Sequence, residues 1–202
     1  MDVCSIILSA GKGSRMFSDI PKPLHLISGK TMLERVIDAN KSANIKKCII
    51  VIPKNCEAFK GICHDFETVV QKVPKGTGDA VKKASNLLKK FTGVILVCFG
   101  DTPFLTPETF KRVIKAFDNK TKLVITGFKK FEKNNYGKII FSKTNEPIEI
   151  IEQKDAEVRN IHSEFCNGGV MAIHSSIINQ LDKIQENSIS KEYYLTDLVN
   201  IL

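Results

Sequence analysis

The chain has 202 residues, of which 43% are hydrophobic and 26% charged, and its formal net charge is +8. This length suffices for one sizeable hydrophobic core, and no apolar run approaches the roughly 18 residues that span a bilayer. The first residues lack the charged start of a secretory signal, so we expect a cytoplasmic protein without membrane contact. The cations are overwhelmingly dispersed lysines, which favours a solvated surface over a nucleic-acid interface, because nucleic-acid recognition favours arginine.

The cysteines and histidines predict neither a metal site nor a disulfide framework. No two cysteines form a C-x-x-C pair, and the four histidines have no spacing typical of metal ligands. Several cysteines lie in apolar runs, where we expect them to behave as small buried hydrophobes. The six cysteines are Cys4, Cys48, Cys56, Cys63, Cys98 and Cys166.

In the first 120 residues, apolar runs typical of strands alternate with helical patterns. Strands are predicted at 3–8, 47–52, 66–71 and 94–99, and helices at 31–43, 77–90 and 106–117. The first helix is predicted to bury Met32, Leu33, Val36, Ile37 and Asn40. The second is predicted to begin with Thr77 as its cap and to turn Ala80, Ala84, Leu87 and Leu88 inward. The third begins at Thr106-Pro107-Glu108, a cap, a first-turn proline and a first-turn acid.

Beyond residue 122 the pattern changes to closely spaced strands with few helices, at 122–127, 136–141, 147–152 and 166–173. The whole pattern predicts an α/β fold with a Rossmann-like, mixed and mostly parallel sheet flanked by helices, together with a β-rich lobe. No linker or repeat divides the chain. We therefore expect a single domain, 1–202, with a nucleotide-binding half of about 1–120 and a substrate-facing half of about 121–202.

A loop rich in glycine and cations follows the first predicted strand, beginning at Leu8 and Ala10. Gly11 and Gly13 lack a Cβ, so backbone N–H groups there can approach an anion closely. Lys12, Arg15 and Lys22 add positive charge. This is the chemistry of a polyphosphate-binding loop, and we expect the loop to continue to about Thr31.

The loop is neither a P-loop nor a dinucleotide fingerprint, because both patterns need a further glycine where this chain has Met16. Its pattern, Leu-x-Ala-Gly-x-Gly-x-Arg-Met followed by Pro-Lys-x-Leu, resembles the signature of the sugar nucleotidyltransferases, or nucleotide-sugar pyrophosphorylases. The resemblance implies that the loop backbone around Leu8, Ala10, Gly11 and Gly13 wraps a nucleotide. It also implies that Arg15 contacts the leaving β- and γ-phosphates and that Lys22 neutralises the α-phosphate.

Asp101 ends an apolar strand at Gly100-Asp101, where ligands of open α/β sheets bind. A carboxylate beside a triphosphate would repel it unless a divalent cation intervened, and Mg²⁺ binds through one or two carboxylates together with phosphates and water. Asp101 is therefore the predicted Mg²⁺ ligand, as the family resemblance also implies. Standing alone, such an acid would be read as a turn or capping residue.

The segment from Gln71 to Gly78 is the second informative loop. The Gln71 amide carries both a donor and an acceptor, which suits the imide edge of uracil, whereas Gly76 and Thr77 would serve a helix start in any protein. The pattern Gln-x-x-x-x-Gly-Thr-Gly-x-Ala resembles the uracil-binding segment of bacterial N-acetylglucosamine-1-phosphate uridyltransferases. The resemblance implies that Gln71, Gly76 and Thr77 bind the nucleotide.

Further segments resemble the same subgroup in order along the chain, at 18–25, 135–139, 151–156, 167–170 and 192–197. The resemblance implies that Gly137, Glu152 and Asn167 contact the sugar. Gly168 departs from it, because the subgroup has threonine or a similar residue there. The chain also ends before the subgroup's second metal ligand, an asparagine, and before the β-helix that carries acetyltransferase activity and forms trimers, so we do not expect acetyl transfer and leave the oligomeric state open.

We therefore expect UMP transfer from UTP to N-acetylglucosamine 1-phosphate, with Mg²⁺ as cofactor and two small molecules as partners. One alternative is a nucleotidyltransferase for another sugar or polyol phosphate. Another is a catalytically weak module that binds a nucleotide sugar, motivated by the missing metal ligand.

Overall fold

A computed structural model describes residues 1–11, 13, 16–55, 57–132 and 134–202. Its strands are β1 (Val3–Leu8), β2 (Leu26–Ile27), β3 (Lys30–Thr31), β4 (Lys47–Pro53), β5 (Glu67–Gln71), β6 (Val94–Phe99), β7 (Leu123–Lys129), β8 (Lys138–Phe141), β9 (Pro147–Ile151) and β10 (Phe165–His174). Its α-helices are α1 (Met32–Ser42), α2 (Lys60–Cys63), α3 (Thr77–Ser85), α4 (Pro107–Lys115), α5 (Gln153–Val158) and α6 (Leu198–Ile201). Among these residues, none of the helices combines the length and the apolar character needed to cross a membrane.

One eight-stranded sheet organises the molecule, in the order β5-β4-β1-β6-β10-β8-β9, with β7 also paired to β10. Strands β5, β4, β1 and β6 are parallel to one another. Strand β10 joins β6 in the antiparallel sense, and the remaining strands continue antiparallel. The predicted mixed sheet, parallel over its first four strands, is confirmed, and the strands predicted to form a β-rich lobe extend this same sheet.

Helices cover both faces of the parallel strands. In β1, Ile6 packs on one face with Val81 of α3 and Leu198 of α6, whereas Ile7 packs on the other face with Val36 of α1 and Phe110 of α4. Because both faces are buried, the strands are apolar throughout instead of alternating. This explains the continuous apolar runs of the sequence.

The start of α1 was predicted within one residue for a local reason. The Thr31 hydroxyl accepts a hydrogen bond from Glu34 N–H, and the Glu34 carboxylate accepts one from Thr31 N–H, which forms a capping box. Met32, at the first turn, is only half-buried, whereas Leu33 and Val36 are fully buried. The preceding loop contains a 3-10 turn at Lys22–Leu24 and the β2–β3 hairpin, both missed from the sequence.

Two predictions for α3 are wrong. Gly76, with φ +101°, is the cap residue instead of Thr77, whose hydroxyl accepts a hydrogen bond from Leu195 N–H at 2.9 Å. The α-helix ends at Ser85 and continues as a 3-10 turn over Asn86–Leu88, which leaves Leu87 46% exposed. The tighter turn rotates Leu87 away from the face that Leu88 buries.

Candidate functional site

A cleft of about 750 Å³ opens beyond the carboxyl ends of β1, β5 and β6. Loops that follow these strands build it, as expected for parallel sheets. It brings together nine of the residues singled out from the sequence, namely Leu8, Ala10, Gly11, Gly13, Lys22, Gln71, Gly76, Thr77 and Asp101. The tenth nucleotide-side candidate, Arg15, lies outside the described residues, as do Lys12 and Ser14.

Gly13 occupies a position that a larger residue could not adopt, for two reasons. Its φ is +58°, a left-handed conformation, and a Cβ built there would lie 2.8 Å from the Cβ of Lys22. Gly11 differs, because a Cβ there would meet none of the described residues within 4 Å. Its surroundings therefore leave the backbone open to a ligand in the cleft.

Lys22 and Asp101 form an ion pair within the cleft, with 2.7 Å between Lys22 Nζ and Asp101 Oδ2. The 3-10 turn after Pro21 presents the lysine, and the aspartate follows the end of β6, where Gly100 N–H donates to the Leu8 carbonyl. Both side chains are partly exposed, at 37% and 28%. The ammonium group of Lys22 lies against the Asp101 carboxylate, so this position in the cleft suits positive charge.

The donor set is compatible with Mg²⁺ held mainly by its substrate. Among the described residues, no group of three or more histidine, cysteine, aspartate and glutamate side chains could hold a metal. Asp101 would thus supply one carboxylate, and nucleotide phosphates and water would complete the shell, which is a common arrangement for this ion.

Gln71, at the end of β5, is 4% exposed and its side chain is held in one orientation. Its amide nitrogen donates to the Gly76 carbonyl at 3.1 Å and to the Asp79 carboxylate at 2.7 Å. Among the described residues its carbonyl oxygen has no hydrogen-bond partner. Both N–H groups of the Gln71 amide bond other groups of the protein. The amide therefore offers a ligand only its carbonyl oxygen, which is an acceptor.

The segment around Tyr193 closes one side of this loop. Its N–H donates to the Lys75 carbonyl, and its carbonyl accepts from Gly78 N–H, both at 2.8 Å. A Cβ on Gly76 would lie 2.7 Å from Tyr193 N, so only glycine fits there. The sequence analysis gave the motif at 192–197 no role, and the structure shows that Tyr193 braces the loop between Gln71 and Gly78.

The three predicted sugar-contacting residues lie together beside the cleft. The Gly137 carbonyl accepts from Asn167 N–H at 2.8 Å, and a Cβ on Gly137 would lie 3.5 Å from the Glu152 carboxylate. The Asn167 side chain accepts from Gly169 N–H within a bulge of β10. Gly169 packs against Phe99, whose side chain lines the cleft, and this contact joins the two regions.

Thr196 was missed as a member of this second region. Its hydroxyl donates to Glu152 Oε1 at 3.0 Å. Burial raises the pKa of the Glu152 carboxyl; the Thr196 hydrogen bond lowers it, and the charges of Asp155 and Asp197 raise it further. A sequence signal existed in the 192–197 motif, but nothing in it indicated a contact with Glu152.

Asp197 lies in the same acidic surroundings, where burial and then the charges of Asp155 and Glu149 raise its pKa to about 6. The folded protein therefore holds this proton more tightly than the unfolded chain, whose carboxyl titrates near pH 4. The contribution to stability is fully present below about pH 4 and is lost as the pH rises through 6.

We expect Asp197→Asn to be more stable than the original protein by about 1 kcal/mol near pH 7, allowing for solvent screening of a half-buried group. The difference should disappear near pH 4, where Asp197 is itself neutral in the folded state. Urea unfolding at both pH values measures this, with the exposed Asp182→Asn as control. A gain of equal size at both pH values would contradict the assignment.

The cysteines behave as predicted where they are described. Cys4, Cys63, Cys98 and Cys166 are buried, and none of the described cysteines forms a disulfide. Burial raises the pKa of the Cys4 and Cys98 thiols to about 12, which makes them poor nucleophiles. Cys56 lies outside the described residues.

The chain matches a family model and curated relatives. A model of the MobA-like NTP transferase domain matches residues 5–187. The chain is 37% identical over 207 residues to the bifunctional protein GlmU of Ruegeria sp. (strain TM1040), a match that covers 100% of this chain and 45% of that protein. It is 39% identical over 203 residues to GlmU of Streptococcus pyogenes serotype M3, covering 98% and 44%. The chain spans less than half the length of these relatives.

Solved structures show the same fold. A UDP-glucose pyrophosphorylase complexed with UDP-glucose superposes with a TM-score of 0.80 at 18% identity, covering 99% of this chain and 86% of that one. HddC from Yersinia pseudotuberculosis superposes with a TM-score of 0.70 at 19% identity, covering 97% and 84%. Because the family model matches residues 5–187, most of the chain, the chain belongs to the family of MobA-like NTP transferase domains.

Proposed function

We propose that this protein transfers UMP from UTP to N-acetylglucosamine 1-phosphate, with release of pyrophosphate. The observation that carries the proposal is the arrangement of the cleft, where the glycine loop and the Lys22–Asp101 pair lie with the buried Gln71 amide. The likeness to the GlmU proteins supports the choice of base and sugar.

In the proposed reaction, a phosphate oxygen of the sugar phosphate attacks the α-phosphorus of UTP. The bond from that phosphorus to the bridging oxygen breaks in line, and pyrophosphate leaves with the bonding electrons. Such transfers depend on positioning and charge neutralisation and need no covalent nucleophile. Lys22 would neutralise charge that develops at the α-phosphoryl group, and the amides of Gly11 and Gly13 with Arg15 would hold the leaving pyrophosphate.

Asp101 would hold Mg²⁺, which when bound supplies charge neutralisation between the nucleotide and sugar phosphates. Lys22 bonds the same carboxylate. The ammonium group has three donors, so Lys22 could contact a phosphate while it still bonds Asp101.

The sugar would bind beside the cleft at Gly137, Glu152 and Asn167. Gly137 leaves space in front of the Glu152 carboxylate, and Thr196 orients that carboxylate. Oriented acceptors in a half-buried site discriminate strongly among hydroxyl patterns. Phe99, between the two regions, would place the sugar phosphate next to the nucleotide.

Pyrophosphate release tests this proposal, measured for each nucleoside triphosphate against a panel of sugar 1-phosphates, with and without Mg²⁺. We expect the highest kcat/KM for UTP with N-acetylglucosamine 1-phosphate and loss of turnover without the metal. Preference for another pair would replace the proposal by a relative of different specificity. Binding of the nucleotide sugar without pyrophosphate release would indicate a binding module.

The second candidate function is nucleotidyl transfer to a different sugar 1-phosphate, and Gly168 favours it. A side chain at this position would meet the Thr126 hydroxyl, since a Cβ there would lie 2.7 Å from it. That hydroxyl is bound to both the N–H and the carbonyl of Val170. The chain therefore has no room for the threonine-like residue of the subgroup next to Asn167. Because a UDP-glucose pyrophosphorylase also shares the fold, glucose 1-phosphate belongs in the panel.

We expect Glu152→Ala to raise the KM for the sugar 1-phosphate by about 10- to 100-fold, because a hydroxyl of the sugar loses a charged acceptor. The KM for UTP should change far less, since Glu152 lies outside the nucleotide cleft. Initial rates with each substrate varied in turn measure both constants, and Glu157→Ala, on the exposed side of α5, serves as control. An equal rise in both KM values would contradict a role specific to the sugar.

A further inference from the structure

Asp79 holds the side chain of Gln71 in a single orientation. Its Oδ2 accepts from the Gln71 amide nitrogen at 2.7 Å, and its Oδ1 pairs with Lys83 at 3.2 Å. A carboxylate can only accept, so it bonds the NH₂ end of an amide and repels the carbonyl end. The Gly76 carbonyl, at 3.1 Å, imposes the same orientation from a second direction.

A flipped Gln71 amide would be costly in this environment. Its carbonyl oxygen would face the negative Asp79 carboxylate and the Gly76 carbonyl, with no donor at either contact. The side chain is 4% exposed, so water could not compensate fully. Hydrogen bonds to charged groups are among the stronger ones, so Asp79 contributes most to this preference.

The fixed amide turns Gln71 into an acceptor toward any base in the cleft. Gly76, which also lines the cleft, has an N–H without a partner among the described residues. An adjacent acceptor and donor match the N3–H and O4 groups of uracil. Cytosine presents the reverse order, an acceptor at N3 and a donor at the 4-amino group, so both contacts would be repulsive in the same pose.

We propose that Asp79 is the positioning residue that sets the choice between uracil and cytosine, because it locks the base-reading amide of Gln71 in its acceptor orientation. The inference rests on the proposed function in taking Gln71 as the base-reading group. Asp79 does not itself touch the nucleotide in this proposal. It acts through one hydrogen bond at the start of α3, which sets the discrimination between uracil and cytosine.

Calorimetric titration of the full chain with UTP and with CTP tests the proposal. The two nucleotides differ only at the edge that Gln71 would read, and binding requires no turnover. We expect the original protein to bind UTP at least 10-fold more tightly than CTP. In Asp79→Ala that ratio should fall by about 10-fold, and in Asp79→Asn, which keeps a neutral acceptor, by a smaller factor.

Lys83→Ala is the matched control, because it removes the other partner of Asp79 and leaves the amide contact intact. The ratio of UTP affinity to CTP affinity in Lys83→Ala should equal the ratio in the original protein. A merely structural role of Asp79 would weaken UTP and CTP equally, so an unchanged ratio in the alanine variant would overturn the proposal. Equal binding of both nucleotides by the original protein would overturn it as well.

The transferase proposal and the base-selection proposal can fail independently of each other. If UTP is preferred in binding and the ratio responds to Asp79 but no pyrophosphate is released, the base-selection proposal stands and the transferase proposal falls. If kcat/KM is highest for UTP with N-acetylglucosamine 1-phosphate but the ratio of UTP to CTP affinity does not change in Asp79→Ala, the transferase proposal stands and the base-selection proposal falls.

Discussion

Replacing Asp101 by alanine should lower kcat/KM for pyrophosphate release by about 10²- to 10³-fold, the usual cost of losing one charged group that acts on a phosphoryl transition state. Asp101 lies at the carboxyl end of β6, inside the cleft, with Lys22 Nζ 2.7 Å from its carboxylate. The substitution removes the proposed protein ligand of Mg²⁺. The deficit should therefore shrink only partly when the Mg²⁺ concentration is raised.

The chain contains a matched control for this substitution. Lys82 and Asp182 form an ion pair with the same 2.7 Å separation, on the exposed surface of α3. Asp182→Ala should leave turnover within about twofold, since exposed ion pairs contribute little to stability and this one lies outside the cleft. Near-normal turnover in Asp101→Ala, with the control also unaffected, would remove Asp101 from the proposed mechanism.

The second large effect is expected at Gly76, on stability and nucleotide binding together. Alanine there must adopt φ +101° and place a Cβ 2.7 Å from Tyr193 N, in backbone that cannot rotate away. Left-handed strain and overpacking each cost roughly 1 to 3 kcal/mol. We expect Gly76→Ala to lose about 3 kcal/mol of unfolding free energy and to raise the KM for UTP at least 10-fold, because the Tyr193 segment is pushed off the loop.

Gly61→Ala is the control for glycine removal. Gly61 lies in α2, and a Cβ there would meet no atom of the described residues within 4 Å. Alanine should be neutral or stabilising by up to about 1 kcal/mol, because glycine is the poorer helix former. Urea unfolding of both variants measures the contrast. A Gly76→Ala variant as stable as the original protein would show that the close contact with Tyr193 does not persist in solution.

Local signals predicted the elements of the sheet well. The β1 run from Val3 to Leu8 was found to the residue, and α1 and α4 begin where Thr31 and Thr106 act as caps. These signals lie within a few residues of the element they define. The α3 cap was wrong because the Thr77 hydroxyl bonds Leu195, 118 positions away along the chain. A capping propensity depends only on neighbouring residues, so it cannot account for a hydrogen bond to a residue as distant along the chain as Leu195.

The amino-acid sequence by itself determined the order of the strands of the large sheet and of α1, α3 and α4, the glycine loop after β1 and the family; α2, α5, α6 and the β2–β3 hairpin were not predicted. These follow from hydrophobic periodicity and from residue types at short, fixed spacing. The tertiary structure alone decided that Lys22 bonds Asp101, that Asp79 orients Gln71 and that Glu152 meets Thr196. Lys22 and Asp101, and likewise Glu152 and Thr196, lie far apart along the chain. The Gln71 contact crosses a loop whose turn at Gly76 cannot be read from residue type, so each contact exists only after the sheet and its loops have assembled.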